Sequence, residues 1–312
     1  MPVRKKTLYL LFMPLLLFLF LFPKESFKAS CDGVVLWSNT VLPSLLPFII
    51  LSNLLIQTNL MAPLLDRIGP ICRRLLGTSS YGAYVWILGL LCGFPMGAKL
   101  TSDLYSSGHL DRSEANYLLM ISNHASPSFI ITFIVTQTLG NEALMGPVLW
   151  ILYGSAVLSM LIVRFICQGR HRESGFLHKK EVSMTGSSGA ILDTSIMNGF
   201  EIITRLGGYI ILFSIYGALL RKLLRPFPLL LTVISGLIEI TTGITCIRNS
   251  TVPAGLQFFL ILCCTSFGGL STMAQTNCVI QESGLSIRTY LYGKLVNTTV
   301  TALLVTLFLF IL

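Results

Sequence analysis

Gly93-Phe94-Pro95-Met96-Gly97-Ala98-Lys99 closes the run from Tyr81 to Cys92, which is apolar enough to enter a bilayer. Two glycines, a proline and a cation are poor material for a helix that faces lipid. Proline removes a backbone donor and glycine loosens the helix. A charge in hydrocarbon costs about 2.5–3.5 kcal/mol even on the most lenient scale. Broken backbone at membrane depth is tolerated only where protein or a water-filled cavity covers it. The stretch therefore predicts a discontinuous helix inside a bundle, and with it a solute pathway.

The whole composition agrees with that solvent. Of 312 residues, 53% are hydrophobic and only 11% are charged, whereas soluble chains run near 25% charged. Mean hydropathy is +0.77. This predicts an all-α, polytopic integral membrane protein, with membrane lipid as its main surroundings. The net charge of +9 reads as basic residues gathered at membrane edges, so no nucleic acid partner is expected. The eight cysteines form no CxxC pair, and no histidine lies at metal-ligand spacing from them. They read as small buried hydrophobes, and neither a metal nor a cofactor is expected.

Arg4-Lys5-Lys6 precedes an apolar run from Leu8 to Phe22. No A-x-A cleavage site follows, so residues 1–29 read as an uncleaved anchor with its amino terminus in the cytoplasm. Residues 30–167 form a first half, with a short span near Val41–Ile56 and an exposed connection from Asp66 to Ser80 carrying Arg67, Arg73 and Arg74. Residues 168–189 form a hydrophilic cytoplasmic linker. Its Ser183-Met184-Thr185-Gly186-Ser187-Ser188-Gly189 tract lacks the Gly-Lys-Ser/Thr of a phosphate loop. Residues 190–312 form a second half, in which an amphipathic piece, Ile191 to Thr204, leads into a span from Gly207 to Leu220. Leu295 to Leu312 is a final anchor.

The halves share a plan of broken or re-entrant helices. In the first, breaks begin at Gly93 and Ser122; in the second, at Gly236 and Ser266, at separations of 29 and 30 positions. Paired interruptions in corresponding places point to a transporter site built from an internal, inverted repeat.

A broken helix exposes N–H groups at one new end and carbonyls at the other, which attract anions and cations respectively. Four breaks meeting near the midplane would build a polar cavity from Gly93, Pro95, Gly97, Asn123, Ser126, Thr242, Ser266, Gly268, Gly269, Ser271 and Gln275. Small residues also serve close helix packing. Lys99 is the candidate cation for an anionic solute, although Thr101-Ser102-Asp103 beside it would equally suit a lysine snorkelling to the headgroups. Glu239 follows the apolar run Leu229 to Ile238; such a carboxylate holds a proton, or pairs with a cation such as Lys99. His124 beside Asn123 has the option of a local hydrogen bond. Glu201 and Arg205, four apart, read as a surface ion pair. Phe94 and Phe267 are candidates for stacking on a flat ring.

Together the Gly93–Lys99 run, Asn123 with Ser126-Pro127, Gly236-Leu237-Ile238-Glu239-Ile240-Thr241-Thr242-Gly243 and Ser266-Phe267-Gly268-Gly269-Leu270-Ser271 resemble the YlbJ-like sporulation integral membrane proteins. Those belong to the wider set with a nucleoside-recognition Gate domain. The resemblance implies a multi-pass transporter that carries dipicolinate across the outer forespore membrane during sporulation. A flat ring with two carboxylates would suit helix N-termini, hydroxyls and one cation. Alternatives are a nucleoside-type carrier and a non-transporting scaffold for spore-envelope assembly; a homo-oligomer is compatible with any of these. An enzyme is not expected. Gly269-Leu270-Ser271 is similar to an intramembrane serine motif, but His109, His124, His171 and His178 all precede it, and no HExxH occurs.

Overall fold

The structure, a computed structural model, describes residues 5–58, 67, 70, 74–167 and 188–311. Arg73, Asp66 and all but the last two positions of the expected linker lie outside the described residues.

The described residues are helical throughout, with no strand among them. Helix α1 (Lys5–Leu21) precedes α2 (Pro23–Leu36), whose first-turn proline has no N–H to leave unpaired. A π-helical turn, Trp37–Val41, joins α2 to α3 (Leu42–Gln57) without interruption. The wide turn lies just before Pro43 and Pro47, whose missing donors leave earlier carbonyls without α-helical partners. The position expected to separate anchor from first half, 29–30, falls inside α2.

Next come α4 (Ser80–Cys92), α5 (Met96–Ser106), α6 (Arg112–Ile121), α7 (Pro127–Leu139, largely π-helical) and α8 (Met145–Cys167). After the linker, α9 (Ser188–Leu223) is one helix of 36 residues. The expected amphipathic piece and span are thus continuous, because Gly207 lies under the ring of Trp37 instead of breaking the chain. At 1.5 Å per residue it is about 54 Å long, more than a hydrocarbon core needs. Then follow α10 (Pro228–Ile238), α11 (Ile240–Arg248), α12 (Ala254–Phe267), α13 (Gly269–Ile280) and α14 (Ile287–Ile311). On either side of residues 168–187 the described helices follow one order: a long helical run, two interrupted helices, a long helix.

Four helices among the described residues are long and apolar enough to cross a membrane: Glu142–Cys167, Gly189–Leu223, Ala254–Ile280 and Ile287–Ile311. Their outer faces carry large exposed hydrophobics, including Phe165 at 80% and Phe310 at 87%. Lipid is the solvent that makes such faces stable. The chain is an all-α polytopic membrane protein.

The first interrupted helix of each half folds back on itself. Gly89 of α4 approaches Gly97 of α5, and Gly236 of α10 approaches Gly243 of α11. Straight helices would hold such pairs more than about 10 Å apart. The second hairpin turns at Glu239, three residues beyond the break expected at Gly236, which instead lies within α10 and packs against Cys264. The bare Cα atoms carry the contact: a Cβ on Gly89 or Gly97 would collide with the Ser122 carbonyl, and one on Gly293 with Met120.

Gly97→Ala is therefore expected to lower stability by about 1–3 kcal/mol through overpacking. Gly146→Ala, whose added Cβ meets nothing within 4 Å, should leave it unchanged or slightly raised. Thermal unfolding of the two variants in the same detergent compares them directly.

Candidate functional site

The α6–α7 and α12–α13 interruptions have local causes. Helix α6 stops at Ser122, and Ser126 restarts the chain as the N-cap of α7, its hydroxyl accepting the Phe129 N–H at 3.2 Å with Pro127 in the first turn. Helix α12 ends on Gly268 at φ 86°, and Gly269 follows at φ 78°. A left-handed pair of this kind suits glycine far better than other residues.

Both interruptions present carbonyls, and one side chain answers them. Lys294 of α14 is 3% exposed. Its ammonium donates to the Asn123 carbonyl at 2.5 Å and to the Ser266 carbonyl at 2.9 Å. These oxygens lie at the carboxyl ends of α6 and α12, where helix dipoles favour a cation. The ammonium also sits 4.2 Å from the centroid of the Phe94 ring, which comes from the α4–α5 interruption. Among the described residues no carboxylate pairs with Lys294; the ion pairs there are Lys99–Asp103, Arg205 with Glu201 and Glu282, and Lys222–Glu25.

The remaining contacts tie all four interruptions together. A Cβ on Gly93 would meet Ser126 at 3.0 Å, one on Gly268 would meet Phe94 at 3.2 Å, and one on Gly269 would meet the Leu237 and Ile238 carbonyls at 3.2 Å. Behind Lys294, Asn297 donates to the Ser266 hydroxyl at 2.8 Å and accepts from Ser159 at 3.1 Å. The Thr301 hydroxyl lies 2.9 Å from those of both Ser155 and Ser266. His124, Tyr153, Thr265, Ser266 and Asn297 border a void of about 10 Å³, room for about one water. The site is polar, narrow and centred on a buried lysine.

Other residues anticipated from sequence are engaged in holding the breaks. The Asn123 side chain accepts the Ala98 N–H at 2.8 Å, capping α5, and Pro95 occupies the cap position of that helix. The His124 ring bonds the Ile121 carbonyl at 2.7 Å. Glu239, 6% exposed, is the N-cap of α11: it accepts the Thr241 and Thr242 N–H groups at 3.1 and 2.8 Å and both hydroxyls at 2.6 and 2.9 Å. It does not reach Lys99, whose partner is Asp103 one turn on. Helix-end donors thus satisfy a carboxylate that sequence alone offered to a cation or a proton. Gln275 donates to Ser271 at 3.2 Å within α13. Glu201 pairs with Arg205 on the surface, as their spacing implied.

Lys294, Asn297 and Thr301 were not anticipated. The signal for them is a polar stripe, Tyr290, Lys294, Asn297 and Thr301, recurring at helical spacing on the apolar α14. Beginning the last anchor at Leu295 leaves Lys294 just outside it. Gly293 lets α14 press against Met120 and so carries the lysine between the helix ends.

Glu239→Ala should destabilise the protein by about 1–2 kcal/mol through loss of the cap, and Glu239→Asp should retain most of the difference. Denaturation midpoints in mixed micelles would measure both; equal midpoints for Glu239→Ala and the parent would refute the capping role.

Residues 39–142, from the π turn to just beyond α7, match the family model described as Gate, nucleoside recognition. That region includes the first two interruptions. The chain is also similar to "Sporulation integral membrane protein YlbJ" of Bacillus subtilis (strain 168), with 27% identity over 322 aligned positions, covering 91% of this chain and 78% of that protein. No solved structure matches it. The chain is therefore an integral membrane protein similar to YlbJ over most of its length, with one region that matches the Gate, nucleoside recognition, model.

Proposed function

We propose that this protein is a carrier, not an enzyme, that moves a small anionic metabolite across a membrane of the sporulating cell, dipicolinate across the outer forespore membrane in particular. The observation that carries this reading is the convergence of three helix interruptions, through Asn123, Ser266 and Phe94, on one buried ammonium that has no carboxylate partner among the described residues. Interrupted helices from two like halves, meeting in the interior of a bundle, are the usual construction of a carrier site. A cation held only by neutral carbonyls and aromatic rings favours an anion over a cation. Phe94, beside Lys294, offers a face for a flat ring. The void bordered by His124 and Asn297 admits no metabolite, so passage by this route requires the interruptions to part.

The similarity to a sporulation membrane protein supports the cellular setting. The match to a nucleoside-recognition family favours a second reading, a neutral nucleoside held by Asn297, Ser159 and Thr301.

Reconstituted vesicles decide between them. Saturable dipicolinate flux, unaffected by excess uridine, is the expected result. Uridine flux without dipicolinate flux would establish the nucleoside reading, and flux of neither would leave a scaffold as the better account.

A further inference from the structure

We infer that Lys294 is the latch of the pathway, and that a carboxylate of the solute opens it by taking the ammonium from the Asn123 and Ser266 carbonyls. This rests on the carrier reading above and specifies how its site responds to solute.

The two bonds have an unusual layout. They join α14 to the carbonyl ends of two other interrupted helices, one from each half, across 171 and 28 positions of sequence. Both acceptors are main-chain carbonyls, so the lysine holds the backbone of the breaks and not merely their side chains. Nothing else in the described residues spans both breaks with a charge. The Asn297–Ser266 bond reaches only one of them.

The acceptors are also replaceable. A carbonyl carries a partial charge, whereas a carboxylate carries a full one, so at the same short distance it attracts the ammonium more strongly. The ammonium is buried, so its attraction to an entering anion is little screened. An anion that engages Lys294 thereby frees two carbonyls at the ends of α6 and α12. Those carbonyls need new partners, and water entering the breaks supplies them. Binding and opening are one exchange of acceptors. A neutral solute has no equivalent means of releasing the lysine.

Hydrogen exchange of the full chain in lipid nanodiscs tests this, with dipicolinate as the anionic probe and uridine as the neutral one. In the parent protein, dipicolinate should accelerate exchange over 122–129 and 266–272, and uridine should not. Lys294→Met should exchange at least about tenfold faster in both stretches without ligand, having lost a charged hydrogen bond at each. Dipicolinate should add nothing further to it. Lys294→Arg, which keeps the charge, should retain slow exchange and a response to dipicolinate. A lysine that merely supports the fold would speed basal exchange in Lys294→Met yet leave the dipicolinate response in place, and that result overturns the latch. So does an unchanged parent under saturating dipicolinate, which needs no variant to fold. Vesicle flux separates the two ideas: flux with unresponsive exchange sinks the latch alone, whereas responsive exchange without flux sinks the carrier reading.

Discussion

An ammonium buried between two helix ends holds this structure together. A lysine removed from water loses hydration worth several kcal/mol, and pairing with backbone dipoles must offset it. Lys294 meets that condition with two short bonds to carbonyls that helices α6 and α12 could not satisfy internally. The need is mutual. In hydrocarbon an unpaired carbonyl is costly, so the interruptions require a donor as much as the lysine requires acceptors. Remove either and the other becomes a defect.

Close approach makes this exchange geometrically attainable. Gly293 brings α14 onto Met120, and Gly89 and Gly97 bring the first hairpin onto Ser122, next to the carbonyl that Lys294 bonds. In a membrane the association of helices gains little from the hydrophobic effect, so contact area and interhelical hydrogen bonds carry it. Backbones that touch provide both. The polar layer of Ser155, Ser159, Ser266, Asn297 and Thr301 then satisfies its own groups behind the lysine.

Side chains cap three of the four helix starts at the breaks. Ser126 caps α7, Asn123 caps α5 and Glu239 caps α11. The N–H ends of these three helices, which would attract an anion, are therefore already engaged. What stays open to exchange is the cation. In the proposed carrier, with three of these helix starts capped at rest and the buried lysine held by neutral acceptors, a charged solute would be answered more strongly than a neutral one.

Much of this was legible in the chain. The apolar runs and low charge placed it in lipid, and Gly93-Pro95, Ser126-Pro127 and Gly268-Gly269 marked interruptions because φ preference and missing donors act within a few residues. The Glu201–Arg205 pair likewise depends on one turn of helix. The local rules also contained the roles of Glu239, which caps groups two and three residues away, and of Lys99, whose partner is four residues on; reading them as distant partners overlooked nearer ones. Lys294 is different. Its flanking sequence shows only a cation in an apolar helix, and nothing local says that its acceptors lie 171 and 28 positions away. Sequence alone located the breaks that begin near Gly93, Ser122 and Ser266, because backbone propensity is short-ranged; only tertiary packing decided that the remaining turn falls at Glu239, which breaks meet and which charge stands among them.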